Sequence, residues 1–215
     1  MNLNNWLEER FGLAQAVQEF KEHPVPKHAR HPMYCFGGLT FFCFIIQVIT
    51  GIILALYYRP TPDEAYASIV FIRDQVAFGA MIRTLHHWTA NLMVVMVIVH
   101  MLRVFYTGSF KKPRELNWVV GVILLLLTMG FGFTGYLLPW DQVAYWGSMV
   151  GTEIMGSVPV IGKYLMIMLR GGLKVSEFTL TRFYVAHVMI LPILAMMLMG
   201  AHFIMVRIQG ISDEL

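Results

Sequence analysis

Charge is scarce in this sequence: Asp, Glu, Lys and Arg make up 13% of its 215 residues, roughly half the share in a soluble domain. With a hydrophobic share of 57%, that shortage excludes an ordinary water-soluble enzyme. Cysteine is scarcer still. Cys35 and Cys43 are the two present, and they form no disulfide framework and no CxxC or CxxCH motif. The chain also lacks the Pro/Gly bias and long charge runs of a disordered or fibrous protein. Its net charge of +3 is small and scattered, so no nucleic-acid partner is expected. What it has is apolar length, with a mean hydropathy of +0.62. Its 16 Met and 15 Phe suit lipid-facing or cofactor-packing surfaces.

Four stretches hold no Asp, Glu, Lys or Arg: 34–58, 84–102, 116–140 and 183–206. Each reaches about the 20 residues needed to cross a bilayer core. They predict helices over 33–58, 80–106, 115–140 and 183–208 in one domain, 1–215. The expected fold is an all-α integral membrane four-helix bundle with surface helices. The first stretch follows 33 charge-rich residues and precedes no small-residue cleavage site, so it reads as a span rather than a signal peptide. Within 1–32, apolar residues at Leu3, Trp6, Leu7, Phe11, Ala14, Val17 and Phe20 alternate with charges, as in an amphipathic surface helix.

Arg103, Lys111, Lys112 and Arg114 crowd the connection between the second and third spans, and Lys21, Lys27 and Arg30 precede the first. By the positive-inside rule, these segments and both termini face the negative side of the membrane. Residues 141–182 then form a long positive-side connection, whose apolar pieces at 142–155 and 163–169 are compatible with short helices. Connections of that length usually carry function.

Five of the eight histidines lie in or at the ends of spans: His86, His87, His100, His187 and His202. A single histidine in a span is more often a packing residue than a ligand, but these are patterned. His86 and His100 are 14 residues apart, about 40° in helical angle, so they share one face. His87 faces largely away from His100. His187 and His202 are 15 apart, about 60°, with a similar rise of about 21–22 Å. The chain direction pairs His86 with His187 near the positive side and His100 with His202 near the negative side. A zinc site needs more converging ligands. Two flat haems, each gripped from both faces, fit the pattern, and six-coordinate iron of that kind suits electron transfer.

On the remaining spans, Gly37 and Gly51, and Gly121 and Gly135, are also 14 apart, leaving room for a flat ring. Gly38, Gly130 and Gly132 are alternative choices. Arg83 and Arg103 flank His86 and His100 by about a turn and could pair with haem propionates, or snorkel at helix ends.

Taken together, these residues resemble the cytochrome b family of quinol-oxidising bc-type complexes, in its short, split b6-type form. The motifs behind this are Tyr34-Cys35-Phe36-Gly37-Gly38, His86-His87-Trp88, Lys111-Lys112-Pro113-Arg114-Glu115-Leu116, Gly135-Tyr136-Leu137-Leu138-Pro139-Trp140-Asp141, Leu180-Thr181-Arg182-Phe183 and Gln209-Gly210-Ile211-Ser212.

The resemblance implies two haems b on the histidine pairs just described. It implies a haem c joined to Cys35 by a single thioether, with Arg207 near its propionate. Cys43, about 12 Å along the same helix, has no such counterpart. It implies a quinol pocket partly lined by Val143, Gly147 and Val150. The other wall, with a Pro-Glu-Trp-Tyr motif that this chain lacks, would come from a subunit IV-like C-terminal half. A Rieske iron–sulfur protein, a cytochrome c-type subunit, membrane lipid and a dimer of the complex complete the expected partners, and the chain is not expected to act alone. Quinol oxidised at the positive side would send one electron to the iron–sulfur partner. The other would cross to a quinone at the negative side, building a proton gradient. His87, where chloroplast forms usually have Arg, points to a menaquinol-using bacterial cytoplasmic membrane, with a thylakoid membrane the alternative.

A dihaem anchor of a hydrogenase or formate dehydrogenase gives no reason for Cys35 or for Pro139-Trp140-Asp141. A non-redox membrane subunit would leave the histidines as packing residues.

Overall fold

A computed structural model describes residues 31–212, together with positions 18 and 27. The amphipathic segment expected within 1–32 therefore lies almost wholly outside the described residues. No strand occurs among those described.

A single 3₁₀ turn, Pro32–Tyr34, leads into α1, Phe36–Ala55. This helix ends three residues short of the expected 58 because Pro60 disfavours helical backbone just before it. The chain then makes a helix that the sequence reading left as plain connection, α2, Ala65–Asp74. Ile72 and Ala65 are 1% and 0% exposed, so α2 packs firmly onto the bundle end. Phe78 adopts the left-handed region (φ 59°) and hands over to α3, Gly79–Tyr106. At Gly79 a Cβ would lie 1.9 Å from the Ile72 carbonyl oxygen, so only glycine fits this corner.

α4, Glu115–Leu137, stops before Pro139 rather than at 140, and Trp140 turns the chain with φ 53°. Asp141 caps α5, Gln142–Gly156, its carboxylate accepting from the Ala144 N–H at 2.8 Å. α6, Gly162–Arg170, ends at Gly171 with φ 78°. The last span begins at Glu177, not 183, because Ser176 and Thr179 form a capping box. It runs as α7, Glu177–Val185, a π-helical turn at Ala186–Ile190, and α8, Leu191–Gln209. Pro192 explains the π turn: it has no N–H to give residue 188 and its ring crowds that carbonyl, so the ladder widens there.

Among the described residues, α1, α3, α4 and the α7–α8 stretch are long and apolar enough to cross a membrane. The chain is a multi-pass helical membrane protein. Large side chains such as Leu56, Trp88, Leu126 and Ile204 point outward, as a lipid-facing surface requires. Cys43, Phe44, Met93 and Ala195 form the inner contact between α1, α3 and α8.

The two bundle ends are built differently. At the long-connection end, Tyr58, Ala65, Ile72 and Leu180 close a second cluster, and the Tyr58 hydroxyl donates to the Leu138 carbonyl at 2.6 Å. Arg170, 1% exposed, anchors α5 and α6 there. It donates to Thr152 Oγ1 (2.7 Å), Glu153 Oε1 (2.9 Å) and the carbonyls of Met149 (2.8 Å) and Leu173 (3.1 Å). At the short-turn end, Arg114 donates to the Gln209 carbonyl at 3.2 Å, and the Ser109 and Ser212 hydroxyls meet at 2.5 Å.

Candidate functional site

The histidines face the bundle interior from α3 and from the last span. At the long-connection end the rings of His86 and His187 lie 6.4 Å apart, centroid to centroid. That separation is close to what two metal–imidazole bonds of about 2 Å each, plus about 1 Å from each nitrogen to its ring centre, would span. At the short-turn end His100 and His202 are within electrostatic reach of each other. No group of three or more His, Cys, Asp or Glu converges among the described residues. The arrangement is two sites of two imidazoles, one near each end of the bundle.

The glycines answer to this pattern one by one. A Cβ on Gly135 would lie 2.7 Å from His187 Cε1, and one on Gly51 would lie 3.4 Å from His86 Cε1. At the other end, a Cβ on Gly37 would meet His100 Cε1 at 3.0 Å and one on Gly121 would meet His202 Cε1 at 3.7 Å. Each of these glycines thus accommodates the edge of one imidazole. Gly38 and Gly132 face nothing within 4 Å, and Gly130 faces Leu191. Of these seven glycines, four face an imidazole and the other three do not.

Local hydrogen bonds hold the first pair. Thr50 Oγ1 lies 2.8 Å from His86 Nδ1, and Thr134 Oγ1 lies 3.0 Å from His187 Nδ1. Gln47 reaches across from α1 and donates to the His86 backbone carbonyl at 2.7 Å. The sequence reading missed all three residues. The signal was available for the threonines, since each immediately precedes one of the four glycines.

His87 turns outward, its ring edge-to-face with Trp88, and it takes no part in either pair. Arg83 is half-buried one turn before His86. The Arg103 guanidinium sits 3.6 Å from the Tyr34 ring centre, and its Nε is buried with no hydrogen-bond partner among the described residues. Cys35 is exposed at the start of α1, whereas Cys43 is buried. Arg207 is exposed near the end of α8. Phe41 of α1 and Phe203 of α8 stack edge-to-face at 5.1 Å, so Cys35 and Arg207 belong to neighbouring helices at the short-turn end. Val143, Gly147 and Val150 line an open cavity of about 510 Å³ with Tyr136, Gln142 and Trp146.

A bundle of four spans with an imidazole pair at each end belongs to the class of multi-pass helical membrane proteins with paired histidines inside the bundle. The family model for Cytochrome b/b6/petB matches residues 20–210, and the chain belongs to that family. It is 56% identical over 212 residues to the cytochrome b6 of Heliobacterium mobile, covering 98% of this chain and 100% of that one. It is 48% identical over 211 residues to the cytochrome b6 of Euglena gracilis, with 98% of each covered. A solved chain of a hyperthermophilic respiratory Complex III matches with a TM-score of 0.90 at 34% identity, covering 97% of this chain. This chain spans 56% of that solved one. The protein is accordingly a haem-carrying electron-transfer subunit of a b6f/bc-type complex.

Proposed function

We propose that His86 and His187 are the axial ligands of one haem b and His100 and His202 those of a second. The facing rings of His86 and His187, 6.4 Å apart over Gly51 and Gly135, carry this reading. When bound, the haems supply one-electron chemistry, and bis-imidazole ligation favours electron transfer over dioxygen binding. The chain's part is to fix four imidazoles, keep water out with apolar helices and meet charge at the ends. Arg83 and Arg103 are the propionate partners. The unpartnered, buried Arg103 Nε is a donor suited to an anionic ligand.

Cys35 is exposed at the start of α1, on the surface where a third, haem c group would join it by one thioether. Arg207, on the neighbouring helix, is its propionate partner. The cavity beside Val143, Gly147 and Val150 takes the quinol, bounded by apolar side chains and the Gln142 amide. It is open on one side, and a subunit IV-like C-terminal half supplies that wall. A Rieske protein, a cytochrome c-type subunit and a second copy of the complex complete the assembly. Electrons pass from quinol across the membrane with coupled proton translocation. The long connection faces the positive side, and the described short turn and C-terminal end face the negative side. Identity of 56% to a heliobacterial relative against 48% to Euglena supports the bacterial cytoplasmic membrane.

The test is a pyridine haemochrome spectrum of the natively purified protein before and after acid–acetone extraction. Two extractable haems b plus one retained group are expected. Retention of nothing removes the Cys35 assignment. Absence of all haem overturns the reading and returns the histidines to packing.

A further inference from the structure

The four glycines share one register along the bundle, yet the residue before each differs between its ends. At the long-connection end it is threonine on both helices, Thr50 before Gly51 and Thr134 before Gly135. At the short-turn end it is Phe36 before Gly37 and Val120 before Gly121. The two threonines are 4% and 8% exposed, so water does not compete for their hydroxyls.

Each hydroxyl has a second partner that decides the direction of its bond to histidine. Thr50 Oγ1 donates to the Ile46 carbonyl at 2.6 Å, and Thr134 Oγ1 donates to the Gly130 carbonyl at 2.8 Å. A hydroxyl has one hydrogen. With that hydrogen given to the helix, the oxygen can only accept, so the proton in the bond to the ring belongs to Nδ1. His86 and His187 are thereby held as Nδ1–H tautomers with the Nε2 lone pair available to a metal. The Phe131 backbone is a further partner for the His187 ring. Among the described residues, no side-chain hydroxyl meets the histidines at the other end. His202 Nδ1 is buried and no side chain among the described residues hydrogen-bonds it, the Asn117 backbone being its one neighbouring acceptor of note. Phe36 and Val120 have no hydroxyl to offer.

We infer that Thr50 and Thr134 are positioning residues that fix the ligand tautomer at the His86/His187 site and lower the reduction potential of the haem it holds. The inference rests on the haem assignment above. An acceptor on Nδ1–H makes the imidazole a stronger donor to iron, which favours the ferric state. The device acts on one site alone, because the hydroxyls are present at one end of the register and absent at the other.

The experiment is a redox titration of the haem α-bands in the assembled complex in native membranes. T50V and T134V are near-isosteric and remove the hydroxyl, losing both the acceptor for the ring and the bond donated to the Ile46 or Gly130 carbonyl. Each should shift one component's oxidised-to-reduced ratio about tenfold toward the reduced form, about 59 mV upward for a one-electron couple. The same component should move in both variants while the other stays still. T50S and T134S restore the hydroxyl and should return the potential toward its original value. V120T installs a hydroxyl at the matching position beside His202 and should move the other component downward.

Normal haem content with unmoved potentials in T50V and T134V would overturn the inference, as would an equal shift of both components. If the valine variants lose haem, V120T decides: a downward shift of the second component supports the inference, and no shift overturns it. Wild-type protein without haem would instead remove the parent assignment, and the extraction assay reads that separately.

Discussion

Replacing the four glycines with alanine one at a time should produce a graded loss of haem. An added Cβ would meet the facing imidazole Cε1 at 2.7 Å for Gly135, 3.0 Å for Gly37, 3.4 Å for Gly51 and 3.7 Å for Gly121. Carbon atoms rest at about 3.5–4.0 Å. Gly135→Ala therefore forces His187 back by close to an ångström, and its Nδ1 and Nε2, each 3.3 Å from the added atom, leave little room to pivot. Overpacking of this kind costs about 1–3 kcal/mol. On the proposed ligation it would also displace the nitrogen offered to the haem iron. Gly121→Ala adds an ordinary contact and should bind haem nearly as wild type. Haem content per polypeptide, with the two haem α-bands resolved in the reduced spectrum of the folded protein, should fall in the order G135A worst, then G37A, then G51A, with G121A mildest. Equal loss at all four positions would refute the reasoning, since it would mean that the glycines make room for the flat ring alone and not for the imidazole edge.

Arg170→Met removes the donor shared by Thr152, Met149 and Leu173, and should destabilise the α5–α6 connection by about 1–3 kcal/mol. Limited proteolysis within 141–176 would then accelerate, whereas Glu153→Gln, at a side chain 57% exposed, should cost under about 1 kcal/mol. Cys35→Ser should abolish haem staining of the denatured chain while leaving both extractable haems, and Cys43→Ala should leave the stain intact. A stain that survives Cys35→Ser would remove the thioether assignment.

The spans were legible because lipid imposes a simple code: about twenty residues without charge, repeated four times. The spacing of the histidines was legible for a related reason, since intervals of 14 and 15 residues both come to about four helical turns. The four glycines were chosen on the same interval, although seven were available, and only the side-chain geometry separates Gly37 from Gly38. What escaped the sequence lay in contacts between distant segments. Arg170 read as one of several dilute loop charges, and nothing local marks it as a buried anchor for residues up to 21 positions away. Helix α2 sits between Pro60 and Gly79 in a stretch with charges among its apolar residues, and its burial against Leu180 depends on the far end of the chain. Thr50 and Thr134 were readable in principle, but only by comparing the same register at both ends of the bundle.

The π-helical turn at Ala186–Ile190 bears on the odd interval of the last span. His187 and His202 are separated by 15 residues, one more than the spacing of the other three helices. In an unbroken α-helix that extra residue would swing one ring about 100° away from the position reached by a 14-residue interval. A π turn closes its hydrogen bonds one residue later and so takes up one extra residue locally. His187 itself lies in that turn, so the adjustment is made at that histidine and not distributed along the helix. The bundle therefore conserves angle and depth rather than residue number. An alignment that slides this span to restore a uniform interval would put the wrong side chains opposite Gly121 and Gly135.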